Sequence, residues 1–103
     1  MTSPALPDLS FWQALAARRY AKDFEKSKRD HHCRIGAMDD LNAARAVLTP
    51  HQTAAMDMIA GRGRSIVDLA KATGRAPADL SALFLSATTE LARHYEAQNS
   101  HAA

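Results

Sequence analysis

The sequence predicts an all-α fold of four to five helices, on three observations. Apolar residues recur at three- and four-residue steps along most of the chain, which is the period of a helix face. Ser10, Thr49 and Ser65, all good N-cap types, stand just ahead of such stretches. Pro50 and Pro77 occupy first-turn positions, and Gly61 and Gly74 stand where helices should stop. A length of 103 residues suits one domain, 1–103. Much of the 47% apolar content is alanine, so the core falls to Leu9, Phe11, Trp12, Leu15, Phe24, Leu48, Met56, Ile59, Leu69, Leu80, Leu83, Phe84 and Leu91.

Residues 1–7 carry two prolines and read as a flexible lead-in. A basic amphipathic helix spans 8–32, starting near Asp8 or Ser10 and fraying between Lys28 and His32. Ser10 and Gln13 have capping-box spacing. Trp12, Leu15, Ala16, Tyr20 and Phe24 form its apolar stripe, and Arg18, Arg19, Lys22, Lys26 and Lys28 its polar face. Residues 33–38 contain Gly36 and read as a bend; 39–47 read as a short helix with acids in the first turn, where the helix dipole favours them.

Residues 48–96 form a tri-helical helix-turn-helix unit. Thr49, Pro50 and Gln52 open its first helix, and Ala55, Met56 and Ile59 face inward before Gly61 ends it. Ser65 caps the second helix, with Asp68 at the third position, and Gly74 ends it in a slot suited to positive φ. Ala70 and Gly74, four apart, supply the small residue and turn glycine that let two helices meet at a sharp corner. Pro77 opens the third helix, whose stripe of Leu80, Leu83, Phe84, Ala87, Leu91 and Tyr95 carries it to about residue 96; 97–103 read as a loose tail.

Charge is distributed unevenly. Residues 1–34 hold seven Lys/Arg against four acids, 62–75 hold four against one, and 76–103 hold one against three. Two basic segments precede an acidic end, a pattern that suits phosphate or an acidic protein partner. Cys33 is the single cysteine, so no internal disulfide forms and a reducing cytoplasm is the expected compartment. No signal peptide and no membrane partner are expected. His31, His32 and Cys33 are adjacent and lack CxxC or HxxxH spacing, so no metal, cofactor or catalytic site is expected, and the chain does not read as an enzyme.

The stretch from Leu48 to Ala92, with LTPHQ at its start and DLAKATG at its pivot, resembles region 4 of sigma factors and the LuxR-type response-regulator domain. The segments ALAARRYAKDFEKSKRD and LARHYE resemble the two ends of a domain found in the transcriptional activators of alphaproteobacterial gene transfer agents. The matching residues are Arg19, Tyr20, Asp23, Phe24, Glu25, Leu91, Ala92, His94 and Tyr95. These resemblances imply a nucleoid-associated transcription activator of gene transfer agent or phage-like genes. Its partners would be double-stranded DNA, RNA polymerase and a second DNA-binding regulatory protein.

The recognition-helix opening departs from what base reading needs, which is Arg, Lys, Asn or Gln. Here stand Ala76, Ala78, Asp79, Ser81 and Ala82. Weak DNA binding is therefore expected through Arg62, Arg64, Ser65, Lys71, Arg75, Asp79 and Ser81, mainly to phosphates, which position a protein without specifying sequence. Arg18, Arg19, Lys22 and Lys26 are the expected partner-binding set. The alternative is a protein-interaction adaptor with a repurposed helix-turn-helix and no DNA contact.

Overall fold

The computed structural model describes residues 9–28 and 31–102, with side chains throughout except those of residues 31–35, 37 and 99–102. The fold is all-α, with five helices and no strand among the described residues. Helix α1 spans Phe11–Ser27, α2 His31–Ala46, α3 Pro50–Met56, α4 Ile66–Thr73 and α5 Pro77–Ala102; α3 continues into a π-helical turn, Asp57–Gly61.

Both predicted capping boxes form. Ser10 Oγ accepts from the Gln13 amide at 3.2 Å while Gln13 Oε1 accepts from the Ser10 amide at 3.0 Å. Thr49 and Gln52 repeat the arrangement at 3.1 and 2.9 Å. Glutamine serves here better than glutamate because each side-chain amide also donates to α5. Gln13 Nε2 reaches Thr89 Oγ1 at 2.7 Å, and Gln52 Nε2 reaches Ser86 Oγ at 3.1 Å. A carboxylate closes the box but has no proton to give. The starts of α1 and α3 are thus tied to the same long helix.

Several expected boundaries move. Helix α1 stops at Ser27, whose hydroxyl donates to the Phe24 carbonyl at 2.6 Å and competes for the last turn. His31 and His32 belong to α2, which also runs straight through the predicted bend at 33–38. Gly36 is exposed in mid-helix and costs only about 0.5–1 kcal/mol relative to alanine, too little to break a helix anchored on α1 by fully buried Leu41 and Ala44. Helix α5 continues past residue 96 to Ala102, since the sequence there contains no glycine or proline.

The helical run that begins with α3 ends at Gly61 as expected, but by a different route. Gly61 does not act through backbone freedom; the positive-φ glycine of this connection is Gly63, at φ 68°. Gly61 is needed for close approach, because a Cβ there would lie 2.8 Å from Phe24 Cγ. The π-helical turn, closed by the Arg62 amide donating to the Asp57 carbonyl at 2.9 Å, brings the glycine against the ring.

Helix α5 is the spine, about 39 Å long at 1.5 Å per residue, and it packs against α1, α3 and α4. Leu80, Phe84, Ala87, Leu91 and Tyr95 form its buried stripe and meet Tyr20, Phe24, Leu41, Met56, Ile59, Ile66 and Leu69 in one cluster. Leu9, Leu48 and Leu83 are only half-buried. Phe11 and Trp12, expected in the core, are 68% and 69% exposed, and Leu15 is exposed too. Steps of four residues drift about 40° around a helix with 3.6 residues per turn, so Trp12 lies about 80° round from Tyr20. Ala16, Tyr20 and Phe24 hold the buried face, and Trp12 has turned off it.

Candidate functional site

The predicted DNA contacts fall on α4, the turns on either side of it, and the start of α5. Ahead of α4 the backbone is held at both arginines. The Arg62 amide donates to the Asp57 carbonyl and the Arg64 amide to the Met58 carbonyl, both at 2.9 Å, with the left-handed Gly63 between them. Arg62 and Arg64 are exposed, and neither joins an ion pair with a described residue. Ser65 Oγ accepts from the Asp68 amide at 3.0 Å and caps the helix, which leaves the hydroxyl proton available to donate.

After α4 the chain turns at Gly74, whose φ of 73° is the predicted left-handed corner and whose amide donates to the Ala70 carbonyl at 2.9 Å. Residues 71–79 are exposed throughout, Lys71, Arg75 and Asp79 among them, whereas Ser81 is half-buried. The Arg75 guanidinium lies 3.4 Å from His51 Nδ1 on α3. Ala76 stands where a cap belongs and offers no side-chain acceptor, so the Asp79 and Leu80 amides share its carbonyl at 3.1 and 3.2 Å. Helix α4 is about 12 Å long at 1.5 Å per residue, with Arg62 and Arg64 in the turn before it, Lys71 in its last turn and Arg75 just after it. The outward side chains of early α5 are Ala78, Asp79 and Ala82, none of which donates a hydrogen bond to a base edge.

The predicted partner-binding set divides. Arg18, Lys22 and Lys26 are exposed and free of ion pairs with described residues. Arg19 is half-buried, stacked 4.3 Å over the Tyr95 ring, and donates to Gln98 Oε1 at 3.1 Å. The two end segments that carry the gene-transfer-agent resemblance therefore meet in space, α1 against the last turns of α5.

Three buried polar atoms near that contact lack a hydrogen-bond partner among the described residues: Asp23 Oδ2, His94 Nε2 and the Tyr95 hydroxyl. Burial raises the Asp23 carboxyl above its ordinary 3.8, with Asp40 adding to the effect and Arg19 and Lys26 opposing it. Burial and then Arg19 lower the His94 imidazole below 6.5, against Asp40. The Tyr95 phenol is raised above 10 by burial first and Asp23 second. A separate network joins three elements. Arg45 holds both Asp57 oxygens at 3.0 Å, and the Tyr20 hydroxyl donates to Asp57 Oδ1 at 2.5 Å while accepting from Arg45 Nε at 3.2 Å. Sequence reasoning missed this triad because Tyr20, Arg45 and Asp57 lie on α1, α2 and the π-helical turn and share no motif.

It also missed a groove of about 640 Å³ between α1 and α5, lined by Trp12, Leu15, Ala16, Arg19, Ala92, Tyr95 and Glu96. A smaller apolar hollow of about 360 Å³ lies between α3, α4 and α5, over Ala54, Met58, Leu69 and Leu83, with Arg75 and His51 at its edge. The side chains of His31, His32 and Cys33 lie outside the described residues. No helix among the described residues is long and apolar enough to cross a membrane. No family model matches the chain, and neither the curated proteins nor the solved structures compared with it provide a match.

Proposed function

We propose that the chain is a helix-turn-helix transcription regulator that holds promoter DNA by its phosphates and takes its address from a protein partner. One observation carries this reading. Arg62, Arg64, Lys71 and Arg75 are exposed around α4 without a carboxylate partner among the described residues, while the helix that would enter the groove offers alanine and aspartate. Cations at the turns with no readers on the helix favour positioning over specificity. Asp79 in the first turn of α5 repels phosphate from that helix end, so the contact belongs to the arginines before α4. The resemblance to sigma region 4 and to the gene-transfer-agent activators points to RNA polymerase as the partner, directly or through a second DNA-binding regulator.

Fluorescence anisotropy with a labelled duplex across a salt series tests the proposal. Affinity should fall steeply with salt and be alike for unrelated duplexes. Replacing Arg62 and Arg64 together by Ala should reduce the log–log salt slope by about 2. An unchanged slope removes these arginines from the site. The adaptor reading is favoured by the alanines and Leu85 that α5 turns to solvent; absence of binding even at low salt would select it.

A further inference from the structure

We infer that the outward face of α1, together with the groove beside it, is the docking site for an amphipathic helix of a partner protein that carries apolar anchors followed by acidic residues. Phe11 and Trp12 are about two-thirds exposed and pack edge to face with centroids 5.2 Å apart. Such rings offer about 150–250 Å² each, so with Leu15 they form a contiguous apolar patch of the order that marks interaction sites. Trp12 and Leu15 also line the 640 Å³ groove between α1 and α5, where Arg19 stacks on the Tyr95 ring. A trough between two helices is the shape that receives helix anchors at i, i+3, i+4 and i+7.

Charge complementarity selects the occupant. Beyond the apolar first turns, the same outward side of α1 carries Arg18, Lys22 and Lys26, exposed and without an ion-pair partner among the described residues. The face is apolar at one end and cationic at the other along a single helix axis. A partner helix of the opposite pattern, apolar then acidic, satisfies both ends and gains steering from the cations. A second copy is a poorer fit, since the exposed side chains of its own α1 are apolar or cationic apart from Glu25. A lipid surface is poorer too. An in-plane helix needs its apolar stripe along its whole length, and here the stripe gives way to cations after Leu15.

Trp12 is the only tryptophan and so reports on the site in the intact chain. The probes are a short synthetic helical peptide with leucine anchors followed by glutamates, and a twin with lysines in their place. The glutamate peptide should shift Trp12 emission to the blue, and the lysine twin should leave it unchanged. Phe11→Ala should weaken the glutamate peptide about tenfold, as expected when an anchor is lost. The double charge reversal Arg18→Glu and Lys22→Glu, both at exposed positions, should invert the preference between the peptides while the circular dichroism spectrum stays as in the wild type. Equal binding of the two peptides, or binding of neither, overturns the inference. So does a blue-shifted Trp12 in the free monomer, or a shift that follows dimer formation in sedimentation equilibrium. A shift produced by anionic phosphatidylglycerol vesicles and not by the peptide likewise overturns it.

Discussion

Replacing Gly61 by Ala tests the account of the α1 packing directly. The added Cβ would lie 2.8 Å from Phe24 Cγ and 2.9 Å from both Cδ atoms. Carbon atoms prefer about 3.5–4.0 Å, so the ring must retreat by about 0.7 Å. Turning the ring about χ2 leaves Cγ where it is, so that rotation alone does not open the space. Phe24 is 7% exposed and sits in the central cluster, so its retreat disturbs neighbours already in contact. Overpacking of this kind costs about 1–3 kcal/mol. Alanine recovers about 0.5–1 kcal/mol of backbone entropy relative to glycine, which leaves a net loss of about 0–2.5 kcal/mol, centred a little above 1 kcal/mol. For a chain of this length the central value lowers Tm by about 5–10 °C. Thermal unfolding followed by circular dichroism at 222 nm provides the measurement, with Gly36→Ala as the control. Nothing lies within 4 Å of a Cβ at Gly36, so that variant should be stabilised by about 0.5–1 kcal/mol. Removing Cγ and both Cδ atoms in Phe24→Ala should relieve the Gly61→Ala clash, giving a favourable coupling of about 1 kcal/mol in a double-mutant cycle. A Gly61→Ala protein stabilised like Gly36→Ala, or purely additive losses in the cycle, would refute the close-approach argument.

Further outcomes follow from the polar groups. Tyr20→Phe removes the hydroxyl that bridges Arg45 and Asp57 and should cost about 1 kcal/mol in urea unfolding, with the Arg45–Asp57 pair intact. Burial first, then the Asp57 hydrogen bond, raises the Tyr20 phenol above 10, so its stabilising contribution is full below pH 10 and disappears as pH rises through the raised value. An alkaline absorbance titration should therefore show tyrosine ionising together with unfolding. Asp23 is raised as well, so its contribution is present below pH 3.8 and is lost as pH climbs through its higher folded value. Asp23→Asn should abolish that loss, and denaturation curves from pH 3 to 6 that superimpose for the two proteins would contradict it. Asp23→Asn leaves the His94 contribution, which has the opposite sign and is lost as pH falls below 6.5.

Local chemistry was legible in the sequence wherever a few neighbouring residues decide the outcome. Ser10 with Gln13, Thr49 with Pro50 and Gln52, Ser65 and the left-handed Gly74 all do what their types dictate, because capping and chirality involve only adjacent backbone groups. The all-α class followed from periodicity for the same reason, and so did the exposed arginines before α4, since a cation with no local partner turns to water. Tertiary structure decided everything that depends on which side of a helix finds a neighbour. Trp12 fits the spacing of a core residue and Gly36 that of a breaker, yet one is exposed and the other lies within α2. Packing of α1 between α2 and α5 selects Ala16, Tyr20 and Phe24, and it outweighs the small propensity cost at Gly36. Packing also gives Gly61 its role, gathers Tyr20, Arg45 and Asp57 from three elements, and opens the groove beside Trp12. These depend on contacts between residues far apart in the chain, and such contacts leave no trace in the local pattern.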